Sequence, residues 1–187
     1  MPLYNAERYL EHTLQTVLAQ TYEDFILYIS DNASTDRTQE ICKDYVARDS
    51  RIKYIKNEVN VGAPGNYERC FTPASSEYFR WQNGDDPIEP TLIERCIEVL
   101  DEQPDVVLAY CKTNIIDENG VFLEHYDDKL HLMQDEPVAR LQALLDSIGY
   151  QNVMYGLIRR EPLSHTALMG AYTSSDLNLV GELCLYG

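Results

Sequence analysis

The chain is short of positive charge: 15 Lys and Arg stand against 31 Asp and Glu, a formal net charge of -16 over 187 residues. That deficit argues against a general nucleic-acid binder, which needs Lys/Arg patches against phosphate. It argues equally against an electrostatic membrane anchor. No apolar run is long enough to span a bilayer, and no signal-peptide pattern is visible, so any membrane association would be peripheral. There is no CxxC pair; Cys42, Cys70, Cys96, Cys111 and Cys184 are odd in number and scattered. Four fall in expected helices and one in an expected strand, which predicts reduced, buried thiols and a cytoplasmic setting. The sequon Asn32-Ala33-Ser34 carries no weight in such a compartment. His12, His125, His131 and His165 lack ligand spacing and receive no role. Internal repeats and low-complexity linkers are also missing.

What remains is ordinary globular material: 44% apolar and 25% charged residues, enough for one domain with a sizeable core. Most of the acidic residues read as solvated surface. A protein this acidic that handles anionic phosphates needs a cation to mediate.

Strands and helices alternate along the chain. Asn5 is an expected cap for a helix carrying Leu10, Leu14, Val17 and Leu18. Residues 25–30 read as a buried strand. Ser34 and Thr35 are expected to supply the N-cap of a helix with Ile41, Cys42, Tyr45 and Val46. A strand at 52–55 is followed by the turn Asn60-Val61-Gly62-Ala63-Pro64-Gly65-Asn66, which opens a third helix. A strand at 77–82 ends in Asn83-Gly84-Asp85-Asp86, and Pro90 starts a helix with Leu92, Ile93, Cys96, Ile97 and Leu100 on its core face. The spacing then predicts a strand at 105–111, a tight hairpin turn at 118–120 and a polar loop at 124–135. A helix at 138–148, a strand at 153–158, a helix at 163–169 and a final helix at 176–185 complete the set. Trp81 reads as core. This order implies an α/β fold with a mostly parallel sheet, whose ligands bind at the carboxyl ends of the strands. Three polar groups fall there: residues 31–34, 60–66 and 83–86.

The segments MPLYNAERYLEHTLQTVLAQTYEDFILYISDNASTD, NVGAPGNYERC and NGDDPIEPTLIERC resemble, in order and spacing, the opening motifs of the family 2 glycosyltransferases of the GT-A fold. The match is dense over residues 1–120 and looser beyond, where YTSSDLNLVGEL resembles the segment carrying that family's catalytic base. The resemblance implies a Rossmann-like sheet with helices on both faces. It divides the domain into a nucleotide-sugar-binding half (1–120) and an acceptor-side half (121–187). Both ends read as cut, as in a fragment of a longer chain or one with a misplaced start.

The implied activity is inverting transfer of a sugar from a nucleotide-sugar donor, UDP-type above all, to a glycan or lipid-linked acceptor, in the manner of cell-surface polysaccharide biosynthesis. Pro2, Tyr4 and Asn5 would frame the base, with Tyr4 stacked on it or else buried as a strand-end aromatic. Asp31 would accept a hydrogen bond from a pyrimidine N–H, although Asp-Asn-Ala-Ser is also a good turn. Asn60, Gly62 and Asn66 would shape the loop beside the nucleotide. Asp36 reads as structural, in a helix's first turn.

Asp85 and Asp86 repel one another by ~1 kcal/mol in water and by more when partly buried. A divalent cation, Mn²⁺ or Mg²⁺, removes that cost and leaves positions open for diphosphate oxygens. The other reading is a solvated turn. Asp176 is the candidate general base, in competition with an N-cap role; Glu182 is the weaker alternative. Arg159 and Arg160 read as a solvated strand end.

Asn83 is a departure, because the family's acidic motif begins with Asp at that position. An amide oxygen there can still accept a hydrogen bond or meet a metal-bound water, which keeps Asn83 among the nucleotide-binding candidates, but it brings no charge and predicts weaker metal binding. A QxxRW-type acceptor helix is not found, which argues against a processive synthase. Two other classes stay open: a noncatalytic nucleotide-sugar-binding module, and a nucleotidyltransferase, which would carry a Gly-rich basic loop not seen here.

Overall fold

The computed structural model of the chain describes residues 1–147 and 149–187. Strands β1 (Pro2–Leu3), β2 (Leu27–Asp31) and β3 (Ile52–Lys56) pair in parallel in the order β1-β2-β3. Helices α1 (Leu10–Leu18) and α2 (Thr38–Arg48) make the crossovers between them. Four of the five β2 residues are buried, as expected for a parallel strand covered on both faces. Leu10, Leu14 and Val17 of α1, and Ile41, Cys42 and Tyr45 of α2, close over this sheet to form one core with Met1, Leu3, Leu27, Ile29 and Ile52. That spacing is the apolar stripe of an amphipathic helix.

Helix α3 (Gly62–Phe71) leads to β4 (Tyr78–Phe79), and α4 (Leu92–Glu102) to β5 (Leu108–Ala109). A hairpin of β6 (Thr113–Ile116) and β7 (Phe122–Tyr126) turns at Gly120, whose φ is +81°. Helix α5 (Pro137–Asp146), a 3₁₀ turn (Asn152–Tyr155), β8 (Leu157–Arg159), α6 (Arg160–Ser164) and α7 (Ser175–Leu183) complete the described elements. β8 runs antiparallel between β4 and β5. A second core gathers here: Trp81 is fully buried, edge-on to Phe79 at 4.9 Å and joined by Phe71, Ile158, Leu163, Leu179 and Leu183. Trp81 is thus core, as expected, and its indole N–H donates to the Tyr67 carbonyl at 3.2 Å.

Several expected boundaries move. The expected strand at 77–82 pairs only at Tyr78–Phe79, since the Gln82 side chain turns the following backbone by donating to the carbonyls of Asn83 and Asp86. The strand expected at 105–111 is confined to Leu108–Ala109, because Val106 N–H closes a turn onto the Gln103 carbonyl. Glu124–Tyr126, expected as loop, belongs to β7. The strand expected at 153–158 splits: Gln151 at φ +48° opens the 3₁₀ turn and the strand begins only at Leu157. The helix expected at 163–169 is α6, earlier and shorter, and the chain leaves helical geometry by Leu168, at φ +55°. Of the helix expected at 138–148, Ile148 lies outside the described residues.

All five cysteines are free, but Cys111 is exposed rather than buried in a strand. Burial pushes the Cys42 thiol up to about 12 and the Cys96 thiol up to about 11, which keeps both protonated and inert.

Candidate functional site

The register of β1 on β2 sets the first part of the site. Leu3 pairs with Asp31, and Asn32 N–H donates to the Leu3 carbonyl at 2.8 Å, so both chains leave the sheet at one level. Pro2 sits one step inside, opposite Ser30. Tyr4 swings outward and is 54% exposed, which removes the buried-aromatic reading and leaves a free ring face at the rim. Asn5 does not cap α1, which starts at Leu10 with no side-chain cap. It adopts φ +50°, its N–H donates to Ser34 Oγ at 3.0 Å, and its Oδ1 accepts from Thr35 N–H at 2.9 Å. Asp36 completes this clasp by accepting from the Glu7 and Thr38 amides, both at 3.0 Å. Burial pushes its carboxyl up, but the hydrogen bonds from Thr38 and Glu7 outweigh that and hold it below the usual value. Asp36 is structural, as expected, but it precedes α2 rather than lying in its first turn, and neither Ser34 nor Thr35 is the cap, since α2 begins at Thr38 with Arg37 at its N-cap.

Behind the rim lies a polar lattice. Asp31 has no exposed surface; Oδ1 accepts from Ser34 N–H at 2.8 Å and Oδ2 from the Tyr54 hydroxyl at 2.7 Å. With both oxygens engaged and covered, no ligand atom can touch it in this conformation. Asn66 is also buried. Its Oδ1 accepts from Ser30 Oγ at 2.6 Å and from Asn57 at 3.1 Å, while its amide donates to the carbonyls of Leu3 and Ser30. It therefore ties α3 to β1 and β2. Asn32 accepts from Val61 N–H and Asn57 and donates to Asn60 Oδ1 at 2.9 Å. Asn60 also accepts from Gly62 N–H at 2.8 Å, and Gly62 takes φ +78°, a conformation suited to glycine. Asn60 is exposed, and among the described residues its own amide donates to nothing. Of this group it alone is free to meet a ligand with a donor.

The acidic turn stands against the β1 end. A Cβ on Gly84 would lie 2.4 Å from Leu3 Cδ2 and 3.4 Å from Ala6 Cβ, so only glycine lets the residue before Asp85 touch the residue before Tyr4. Asp85 and Asp86 are both exposed. Partial burial, and then the Asp86 charge, push the Asp85 carboxyl above its usual range, the signature of two carboxylates facing one region. Asn83 Nδ2 donates to Asp86 Oδ2 at 2.9 Å, and Asn83 Oδ1 accepts from the Tyr67 hydroxyl at 3.0 Å. Tyr67 in turn lies 3.2 Å from the Tyr155 hydroxyl.

These residues fit a hard divalent ion: two exposed carboxylates supply oxygen ligands, too few to enclose it, so several positions remain for phosphate or water. Among the described residues no third His, Cys, Asp or Glu joins them.

The acceptor-side candidates stand apart. Asp176 is half-buried in the first turn of α7, and the N-cap is Ser174, at φ +63° with no side-chain cap bond. Asp176 is therefore not the cap, and among the described residues no hydrogen bond links it to Asn83, Asp85 or Asp86. Glu182 is occupied, accepting from Ala167 N–H at 2.7 Å and from Asn178 at 2.8 Å. Arg159 and Arg160 are half-buried and engaged rather than free at a solvated strand end: Arg159 donates to the carbonyls of Val106 and Leu100, and Arg160 to that of Ala74. A cavity of about 860 Å³ opens between α4, β5 and residues 126–133, and none of the candidate residues lines it.

Tyr54, Asn57, Tyr67 and Tyr155 are the contributors that sequence reasoning passed over. Tyr54 shares the Ile52 face of β3, and period-two alternation would have found it. Tyr155 meets Tyr67 across 88 positions of sequence, which no local pattern reveals.

The family model described as Glycosyl transferase family 2 matches residues 1–166. The chain is 34% identical over 122 residues to the putative glycosyltransferase EpsE of Bacillus subtilis (strain 168), covering 65% of this chain and 44% of that one. It is 30% identical over 128 residues to the uncharacterized glycosyltransferase MJ1057 of Methanocaldococcus jannaschii, covering 67% and 44%. It thus spans less than half the length of these relatives. Its backbone resembles S. aureus TarS 1-349 in complex with UDP, with TM-score 0.73 and 19% identity, over 95% of this chain and 52% of that one. It also resembles the mannosyltransferase PcManGT of Pyrobaculum calidifontis in complex with GDP-Man and Mn²⁺, with TM-score 0.68 and 14% identity, over 97% and 50%.

Proposed function

The chain belongs to glycosyl transferase family 2 and has an α/β fold of the GT-A type, and from that premise we propose that it serves a metal-dependent, inverting transfer of a sugar from a UDP-type nucleotide sugar to a glycan or lipid-linked acceptor hydroxyl. One observation carries this reading: Gly84 packs on Leu3, so the residues that follow them, an exposed Tyr4 and an exposed Asp85 next to Asp86, leave from one contact. A nucleoside diphosphate needs both, one at each end.

In this reading Tyr4 stacks on the base and Pro2 and Asn5 hold the backbone that presents it. Asn60 offers its free amide to the base, while Asp31 and Asn66 shape the rim from behind with Gly62. Asp85 and Asp86 would hold Mn²⁺ or Mg²⁺, with Asn83 steadying Asp86. Bound there, the ion would offset the charge developing on the departing nucleoside diphosphate. Asp176 takes the proton from the acceptor hydroxyl as it attacks from the opposite face. Residues 1–120 form the donor half and 121–187 the acceptor side. The UDP complex of TarS and the Mn²⁺ complex of PcManGT support the choice of donor and metal. The setting we assign is cytoplasmic assembly of a cell-surface polysaccharide; among the described residues no helix is long and apolar enough to cross a membrane.

The test is turnover of UDP-, GDP- and dTDP-sugars with Mn²⁺. Turnover that disappears in Asp85→Ala is the expected result. Asn83, an amide where the family's motif carries an acid, favours a second reading, a noncatalytic nucleotide-sugar-binding module; tight UDP binding with no turnover of any donor would support it.

A further inference from the structure

The hydrogen bonds around Asn83 run in one direction. A carboxylate only accepts, so the Asn83 amide, and not its carbonyl, must face Asp86 Oδ2. The carbonyl is then left for the Tyr67 hydroxyl, at 3.0 Å. With its one proton committed to Asn83, Tyr67 can only accept from Tyr155, 3.2 Å away. Tyr155 therefore donates to Tyr67, Tyr67 to Asn83, and Asn83 to Asp86. The chain starts in the 3₁₀ turn of the acceptor-side half and ends on one oxygen of a carboxylate in the donor half. Among the described residues Asp86 Oδ1 accepts nothing, so this bond restrains the carboxylate through Oδ2 and leaves Oδ1 without a protein donor.

We propose that Tyr67 and Asn83 are positioning residues for the divalent cation, with Tyr155 completing the chain that orients Asp86. The inference rests on the reading of Asp85 and Asp86 as cation ligands. It changes the meaning of Asn83. An aspartate there would set a third carboxylate within contact distance of Asp86, a repulsion that the bound cation would offset. The amide orients Asp86 in the empty site as well, at the loss of one charge toward the metal.

The test is Mn²⁺ titration of the chain followed by electron paramagnetic resonance, with thermal midpoints recorded with and without Mn²⁺. Tyr67→Phe and Asn83→Ala should each weaken Mn²⁺ binding about tenfold, the low end of what losing an outer hydrogen-bond partner of a metal ligand costs. Asn83→Asp should lower the midpoint without metal and regain it with Mn²⁺. Tyr67 borders the core, so Asn83→Ala keeps the test open should Tyr67→Phe fold poorly. Wild-type Mn²⁺ affinity in both Tyr67→Phe and Asn83→Ala, with binding lost in Asp85→Ala and Asp86→Ala, overturns the positioning role and leaves the cation site standing. Unchanged binding in Asp85→Ala and Asp86→Ala would sink the cation site itself, and this inference with it.

Discussion

Leu3 and Gly84 are in direct contact, and the contact has no room for a side chain: a Cβ at position 84 would come within 2.4 Å of Leu3 Cδ2. Leu3 is buried in the first core and cannot simply swing away. Gly84→Ala should cost about 1–3 kcal/mol, the usual range for overpacking a filled site. It should also push the acidic turn away from the β1 end and weaken UDP binding in the presence of Mn²⁺. Adding Leu3→Val, which removes the clashing methyl, should restore part of the loss, because touching residues couple. Urea midpoints of the two single variants and the double variant measure this. Strict additivity would mean that the two residues do not press on one another.

Tyr4 separates binding from folding. Its ring is more than half exposed, so Tyr4→Ala should alter stability by no more than about 0.5 kcal/mol. If the ring carries the base, the same variant should lose about 1–3 kcal/mol of UDP affinity, the range for a base on an aromatic face. Calorimetric titration beside a melting curve resolves the two. Unchanged UDP affinity would remove Tyr4 from the site.

The opposite pattern is expected at Tyr54. Among the described residues its hydroxyl supplies one of two hydrogen bonds to the Asp31 side chain, and Asp31 is wholly buried. Tyr54→Phe should cost about 1.5–3 kcal/mol, the range for a hydrogen bond to a charged group. Chemical denaturation measures it. A change near zero would show that water replaces the hydroxyl and that Asp31 is less enclosed than its contacts indicate.

Asp176→Asn keeps the size of the side chain and removes its basicity. As the general base, it should lower kcat by about 10²–10⁴-fold and leave UDP binding with Mn²⁺ unchanged. Loss of binding instead would mark Asp176 as a donor-site or structural residue.

The strand ends were legible in the sequence because they obey local rules. Asp31 and Asn60 each follow a strand of the β1-β2-β3 sheet and precede a helix, so topology brings them to one edge, while the Asn83–Asp86 turn, after β4 of a separate sheet, reaches it through Gly84 on Leu3. Side-chain roles were misread where a distant group decided them. Asn5 reads as a helix cap locally, yet its Oδ1 is taken by Thr35, thirty positions on. Arg159 and Arg160 read as solvated because nothing nearby in sequence announces the carbonyls of Leu100 and Ala74 that accept from them. The distinction between Asp31 as ligand contact and as buried strut was also out of reach, because it depends on Tyr54 across the β2–β3 ladder.

The acidic turn carries its own pH dependence. Burial, and then the charge on Asp86, raise the Asp85 carboxyl above its ordinary value. A group whose pKa is raised by folding favours the folded state while protonated. That contribution is complete below the unfolded-state value of 3.8 and is lost as pH rises through the folded-state value. At pH 7 without metal, ionised Asp85 therefore opposes folding. Asp85→Asn, which carries no charge at any pH, should melt higher than the wild type at pH 7, with the advantage shrinking toward zero as pH falls below the ordinary carboxylate range. Mn²⁺ should reverse the ranking, because only the wild type gains stability from the ion by mass action. If Asp85 holds the cation as proposed, proton and cation compete for the same oxygens, and Mn²⁺ affinity of the wild type should also fall as pH is lowered through the raised pKa. Thermal midpoints of the two proteins between about pH 3 and 8, with and without Mn²⁺, give the full pattern. An Asp85→Asn protein that melts below the wild type without metal at pH 7 would mean that Asp85 is paired with a donor rather than crowded by Asp86.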